Sequence, residues 1–420
     1  MENKIWTPLL SDNLARADIS STYLQEFLLK ATYILGALSG KDFANLFKIP
    51  FNFIEDELVK LKQNELLAIT GNLAGVSGYH AMQFEITSKG RERVKDIVQI
   101  RPYIGPMPVT IDQYLESVNE QRLKTRQVNY KNIKDIFSDM VLGQHYLNTL
   151  GPAINSGGPI FIHGKPGNGK TMISEKLIKV FNDEIYVPYC ILVDGQVIRF
   201  FDEKVHKMVP ANADKIDQRW IRIKRPFIVV GGELTLSLLD LIYKDEFKYY
   251  EAPFQLKANG GVLLIDDFGR QMVSPRDLLN RWIYPLEKGV DYLTLATGKK
   301  IEVPFTQLLI FSTNLNPTDL GDDAFWRRIK YKIEILGPTQ EEFKTIFTNQ
   351  CTKLSIEFDE EAFNYLIDKY YKTAKRDFRG CHPRDILNHI NDFIHFYKQQ
   401  SKITKSAIDF ACRSYFVNKN

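Results

Sequence analysis

Two short stretches carry residue types that could do chemistry together. The first is "PIFIHGKPGNGKTMISEKLIKVF", in which an apolar strand-like run, Ile160 to Ile162, enters "GKPGNGKT" and a helical pattern leaves from Lys170. This is G-x-x-x-x-G-K-T between a strand and a helix, the context in which a glycine-rich loop cradles phosphate. Gly164, Gly167 and Gly169 let the backbone curl so that successive N–H groups converge on phosphate oxygens, and the helix dipole adds partial positive charge there. Lys170 is placed to reach β- and γ-phosphates, and Thr171 to offer a hydroxyl to Mg²⁺. The expected nucleotide-binding set is Gly164, Lys165, Pro166, Gly167, Asn168, Gly169, Lys170, Thr171 and Met172.

The second stretch is "GGVLLIDDFGR", where four apolar residues run into Asp266 and Asp267. Adjacent carboxylates at the end of a buried strand repel each other, and desolvation makes that worse. A continuous apolar run suits a central parallel strand, and ligands of such sheets bind outside the carboxyl ends of the strands. A divalent cation with a triphosphate resolves the repulsion: Asp266 is expected to hold Mg²⁺ together with Thr171, and Asp267 to polarise the attacking water.

The elements that must position these residues follow from composition and periodicity. The chain has 420 residues, 44% hydrophobic and 25% charged, a globular composition of a length that suits two or three domains. Its net charge of +4 does not by itself argue for nucleic acid. Four cysteines without CxxC pairing read as reduced thiols, the N-terminus lacks a signal-peptide pattern, and no apolar run is long enough for a transmembrane segment. A cytoplasmic protein is expected.

Residues 1–100 read as three helices, two strands joined by a glycine-rich loop, and a closing helix, a winged-helix-like α+β pattern. Residues 101–134 form a linker, opened by Pro102, Pro106 and Pro108 and continued by a basic stretch read as a solvated helix face. Residues 135–337 alternate strands and helices, the signature of an α/β domain with a parallel sheet. Residues 338–420 read as an all-helical lid. In the segment before the aspartate pair, "YVPYCILVDGQVIRFFDEKVHKMV" reads as a strand hairpin and "GGELTLSLLDLIY" as helical.

Together these motifs resemble AAA+ ATPases, with one departure: Asp267 stands where that family usually has Glu. The resemblance covers about Asp135 to the C-terminus and implies a P-loop α/β module with a helical lid. It implies ATP and Mg²⁺ as ligands and a homo-oligomeric ring, a hexamer. It also implies roles for later residues. Asn314, in "QLLIFSTNLNP", matches the sensor 1 position; Arg327 and Arg328, in "GDDAFWRRIKYKIEI", match the arginine finger that completes a neighbouring site; Arg384, in "GCHPRDILNHI", matches sensor 2. The long segment before the aspartates and the hairpin "YLTLATGKKIEVPF" resemble the helix-2 insert and presensor 1 hairpin of the MoxR and magnesium-chelatase branches. On that resemblance Lys299 and Lys300 either face a central pore or cap a solvated turn. A weaker similarity links the chain to uncharacterised bacterial predicted chaperone-like ATPases of pilus-type assembly.

The expected activity is ATP hydrolysis that remodels or assembles a protein client. The alternative is a nucleic-acid-associated AAA+ protein using the winged helix on DNA. Glu55, Asp56 and Glu57 at the start of the third helix, and a wing without Lys or Arg, favour protein docking. A nucleotide-gated scaffold with little hydrolysis stays open because of Asp267.

Overall fold

The computed structural model describes residues 6–72, 78–123, 128–210, 215–320 and 323–416. The chain begins with α1 (Ser21–Leu35), β1 (Leu38–Ser39), α2 (Gly40–Phe47), α3 (Phe51–Gln63), β2 (Leu67–Asn72), β3 (Met82–Ile86) and α4 (Ser88–Ile100). The strands form an antiparallel sheet in the order β1-β3-β2. Ser39 caps α2 reciprocally with Asp42, satisfying donors that the first turn leaves open. Phe27, Phe43, Phe47, Leu58 and Phe84 close the core beneath the sheet. The expected helices and strands are present, and β1 is an addition too short to leave a sequence pattern. Part of the wing, residues 73–77, lies outside the described residues.

Glu57 corrects the sequence reading of α3. It does not face outward with Glu55 and Asp56: it is 1% exposed and accepts hydrogen bonds from Gln25 (2.6 Å) and Lys60 (2.8 Å). It is an internal tie between α1 and α3, so only Glu55 and Asp56 remain as outward carboxylates there.

After α4 come β4 (Val109–Thr110), α5 (Ile111–Glu120), α6 (Tyr130–Ile136) and α7 (Gln144–Asn155). The next segment holds β5 (Ile160–His163), α8 (Lys170–Leu177), β6 (Glu184–Pro188), β7 (Cys190–Val193), β8 (Gln196–Arg199), β9 (Trp220–Lys224) and β10 (Phe227–Val230). It continues through β11 (Ile242–Lys244), β12 (Tyr249–Glu251), α9 (Phe254–Lys257), β13 (Val262–Ile265), α10 (Pro275–Lys288), β14 (Val290–Thr294), β15 (Lys300–Pro304), β16 (Leu308–Thr313), α11 (Asp323–Trp326) and β17 (Tyr331–Glu334).

Five of these strands make the sheet that carries the site, in the order β10-β13-β16-β5-β17, every neighbouring pair parallel. Val262 to Ile265 are buried throughout, which explains their unbroken apolar run. Strand β16 lies between the strand that feeds the glycine-rich loop and the strand that ends on the aspartates. Register pairs Ile265 with Phe311 and Thr313 with His163, so all three carboxyl ends emerge along one edge. This is the parallel P-loop architecture expected from the alternating pattern.

The segments between these strands, together with β4 from upstream, build a second, mixed sheet, β11-β12-β8-β7-β4, and a ribbon, β6-β9. The hairpin β7–β8 matches the sequence expectation. The helix expected over "ELTLSLLDLIY" is not formed: Leu236–Leu239 is a short 3₁₀ turn and Ile242–Lys244 is β11. The Asp240 carboxylate accepts from the backbone of Leu241 and of Thr294 (both 2.8 Å), drawing the chain out of helical geometry onto the β14–β15 hairpin. The tip of that hairpin is tied down as well, Lys299 to Asp194 by an ion pair and Ala296 N to the Tyr250 hydroxyl (2.9 Å).

The N-terminal segment reaches this insert directly. Leu9 bridges Ile216, Asp217 N donates to Pro8 O (2.9 Å), and Trp6 meets Trp220 edge-on at 5.3 Å. The final helices are α12 (Gln340–Leu354), α13 (Glu360–Leu366), α14 (His382–Phe396) and α15 (Lys405–Tyr415), packed around Phe343, Phe347, Leu366 and Ile390. Thr339 and Glu342 cap α12 reciprocally, which sharpens the boundary between sheet and helical region. Among the described residues no helix is long and apolar enough to cross a membrane.

The buried interior strand β13 should contribute strongly to stability. Leu264→Ala, at a fully buried position, is expected to cost about 2–5 kcal/mol in denaturant unfolding, whereas Leu9→Ala, an exposed position, should stay within about 0.5 kcal/mol.

Candidate functional site

The glycine-rich loop leaves β5 and closes on α8. Gly164, Gly167 and Gly169 all have positive φ (140°, 85° and 83°), the curl that brings backbone donors inward. At Gly164 a Cβ would also collide with the carbonyl of Ile335, so the close passage of two backbones requires glycine. Lys170, mostly buried at the start of α8, donates to the carbonyls of Gly164 (2.9 Å) and Lys165 (3.1 Å) and to Asn314 Oδ1 (2.5 Å). Burial lowers the Lys170 pKa from its ordinary value, and the Asp266 and Asp267 carboxylates act in the opposite direction.

The aspartate pair stands across the cavity from the loop. Thr171 Oγ1 donates to Asp266 Oδ2 (3.0 Å), and Asn314 Nδ2 donates to Asp267 Oδ1 (3.0 Å). A continuous polar chain therefore runs from Lys170 through the Asn314 amide to Asp267. The two aspartates differ in backbone: Asp267 has a φ of 47°, in the left-handed region. Several bonds hold that turn. Phe268 N donates to Ser312 O (2.7 Å), Thr313 Oγ1 to Phe268 O (2.6 Å) and Gln271 Nε2 to Asp266 O (2.8 Å). Short Asp tolerates left-handed backbone better than most residues, which gives a local physical reason for Asp at this place.

The cavity has a volume of about 490 Å³. Its walls include Pro166 to Met172, Asp266, Asp267, Asn314 and Arg384. Two predicted binding residues do not line it: Gly164 lies beneath Lys170, and Lys165 turns outward to pair with Asp377. Arg384 donates from Nε to Asp385 Oδ1 (2.9 Å), and Asp385 Oδ2 accepts from the Tyr415 hydroxyl (3.0 Å). Arg327 and Arg328 lie away from this cavity. Arg328 Nη2 donates to Glu287 Oε2 (2.9 Å), while Arg327 is exposed.

Sequence reasoning missed the far wall. Met140 and Val141 precede α7, and Ile346, Asn349, Gln350 and Lys353 come from α12. The spacing of the last four, one helical face, was visible, but nothing local to them says what that face meets. Cys381, at the start of α14, also lines the cavity, and burial raises its thiol pKa. All four cysteines are free thiols. Among the described residues no group of three or more His, Cys, Asp or Glu side chains could hold a metal by itself. The oxygen pair Thr171–Asp266 fits a hard divalent cation that brings further ligands from phosphate and water.

Comparison with known proteins adds little beyond this geometry. A family described as a domain of unknown function (DUF8689) matches residues 339–414, the helical region. No curated protein matches the chain. Among solved structures, NtrX from Brucella abortus in complex with ADP is 12% identical with a TM-score of 0.41, covering 66% of this chain and 56% of NtrX. A mutant form of RuvB from Thermotoga maritima is 13% identical with a TM-score of 0.38, covering 70% of this chain and 73% of that one. The chain thus spans little more than half of NtrX.

The left-handed turn has a measurable consequence. Asp267→Asn should unfold within about 0.5 kcal/mol of the parent, because Asn also tolerates this backbone, whereas Asp267→Val should lose about 1–2 kcal/mol. Thermal or denaturant unfolding of the two variants checks it.

Proposed function

We propose that the chain is a Mg²⁺-dependent ATP hydrolase of AAA+ type. The observation that carries this reading is the convergence of Lys170, Thr171, Asp266, Asp267 and Asn314 on one cavity at the carboxyl edge of a parallel sheet. Residues 135–337 form the nucleotide-binding domain and residues 338–420 its lid.

Each residue has a task that its position supports. The curled backbone from Pro166 to Gly169 points donors at phosphate oxygens, with the α8 N-terminus behind them. Lys170 exchanges its carbonyl and Asn314 partners for phosphate oxygens. Thr171 and Asp266 hold Mg²⁺, which supplies charge neutralisation at the phosphates. Asp267 accepts the proton side of the attacking water, and Asn314, already bonded to Asp267, holds that water in line. Arg384 reaches the nucleotide from the lid once it leaves Asp385.

In a ring, Arg327 is the stronger finger candidate. It is exposed and outside its own cavity, whereas Arg328 is engaged by Glu287. Such an arginine neutralises charge that develops on the neighbouring chain's nucleotide. The strand-rich insert and the β14–β15 hairpin support placement near the AAA+ branches with a helix-2 insert, and hydrolysis there drives remodelling of a protein client. The ion pair of Lys299 with Asp194 speaks against a pore-gripping role for that lysine.

Purified chain should hydrolyse ATP in the presence of Mg²⁺, and Lys170→Ala should abolish nucleotide binding; normal turnover by that variant would overturn the assignment. Asp267→Glu should slow hydrolysis. The longer side chain must occupy the same left-handed turn and displace the water, and misplacement of about 1 Å costs on the order of 100-fold. Faster turnover by Asp267→Glu would instead mean that the shorter carboxylate restrains the enzyme. Arg327→Ala mixed with Asp267→Asn should regain activity through hybrid sites; no regain would remove the between-chain role.

A further inference from the structure

The glycine-rich loop is engaged directly by the helical lid. The segment Asp377 to Cys381, which leads into α14, lies against this loop, and Gly380 and Cys381 at its end line the cavity. Lys165 forms an ion pair with Asp377. Cys381 N donates to the carbonyl of Gly167 (2.8 Å). Gly380 N donates to Asn168 Oδ1 (3.4 Å), and Asn168 Nδ2 donates to Ile335 O (3.4 Å). One amide side chain therefore touches both sides of the hinge: Ile335 follows the last sheet strand, and Gly380 belongs to the lid.

The fit is close. A Cβ on Gly167 would collide with the Cys381 sulfur, and a Cβ on Gly337, at the hinge, would collide with the carbonyl of Phe378. The same loop thus lines the cavity from Pro166 to Met172 and meets the lid through Lys165, Gly167 and Asn168. Gly167 gives its carbonyl to Cys381 N, which ties the loop backbone to the start of α14, the helix that also carries Arg384.

We propose that Lys165, Asn168 and Asp377 are positioning residues that latch the lid to the phosphate loop and thereby set how fast nucleotide leaves. This rests on the nucleotide reading of the cavity. The latch acts on lid position and touches no reacting atom, so its loss is expected in nucleotide release and affinity, with the chemical step intact.

The test is a double-mutant cycle on the full-length chain, with release of N-methylanthraniloyl-ADP followed by stopped-flow fluorescence. Asp377→Lys should speed release about two- to fivefold, the range an exposed ion pair supports, and the swap Lys165→Asp with Asp377→Lys should bring the rate back toward the parent. Asp377→Asn, which removes the charge without reversing it, should lie between. Single-turnover hydrolysis of prebound ATP should be unchanged in Asp377→Asn, whereas general destabilisation would lower hydrolysis and release control together. Release at the parent rate in Asp377→Lys, or a swap no slower than the two single effects combined, would overturn the latch while leaving nucleotide binding in place. A parent chain that binds no labelled nucleotide would overturn the nucleotide reading and the latch with it.

Discussion

Two carboxylates at the end of one buried strand impose the constraint that organises this molecule. Their repulsion is compensated by groups from the start of α8 and the end of β16: the Thr171 hydroxyl on Asp266, the Asn314 amide on Asp267, and the Lys170 ammonium behind that amide. None of these partners is near the aspartates in sequence. They meet because β16 is inserted between β5 and β13, all three running parallel and ending along one edge. The burial of Val262 to Ile265 fixes that edge, and the bonds from Ser312, Thr313 and Gln271 fix the turn that carries Asp267.

The site reads as a pre-charged arrangement. Lys170 is mostly buried and already bonded to carbonyl and amide oxygens, so on the proposed reading a phosphate takes over donors that are in place. Asp267 sits in left-handed backbone, which a short side chain such as Asp tolerates. The main chain is left-handed here, and the short carboxylate belongs to that turn. The acidic pair therefore describes a site built around Asp, with Asn314 holding the second carboxylate at 3.0 Å.

The sequence was most legible where chemistry and backbone demand coincide within a few residues. "GKPGNGKT" and "VLLIDD" are local signals, and the structure brings them to one cavity. Asn314 was reached through the resemblance to the AAA+ sensor 1 position, and the structure brings it to the same cavity. The lid wall was not legible: Ile346, Asn349, Gln350 and Lys353 share a helix face, but which body that face meets is a tertiary fact. Glu57 was misread for the same reason, since a helix start reveals its residues but not which of them turns toward α1. The segment around Asp240 misled because its apolar spacing fits a helix, while the Asp240 bonds to Thr294 and Leu241 favour a strand on the hairpin. The attachment of Trp6 to Trp220 left no sequence signal, because it joins residues distant in the chain.

The most direct test is a crystal structure of the chain with Mg²⁺ and a non-hydrolysable ATP analogue. The terminal phosphate should lie within hydrogen-bonding distance of Lys170 Nζ, with the Lys170–Asn314 bond broken and Asn314 still beside Asp267. Nucleotide bound elsewhere, or a Lys170–Asn314–Asp267 chain left intact with the analogue in the cavity, would contradict the role given to the aspartate pair and its partners.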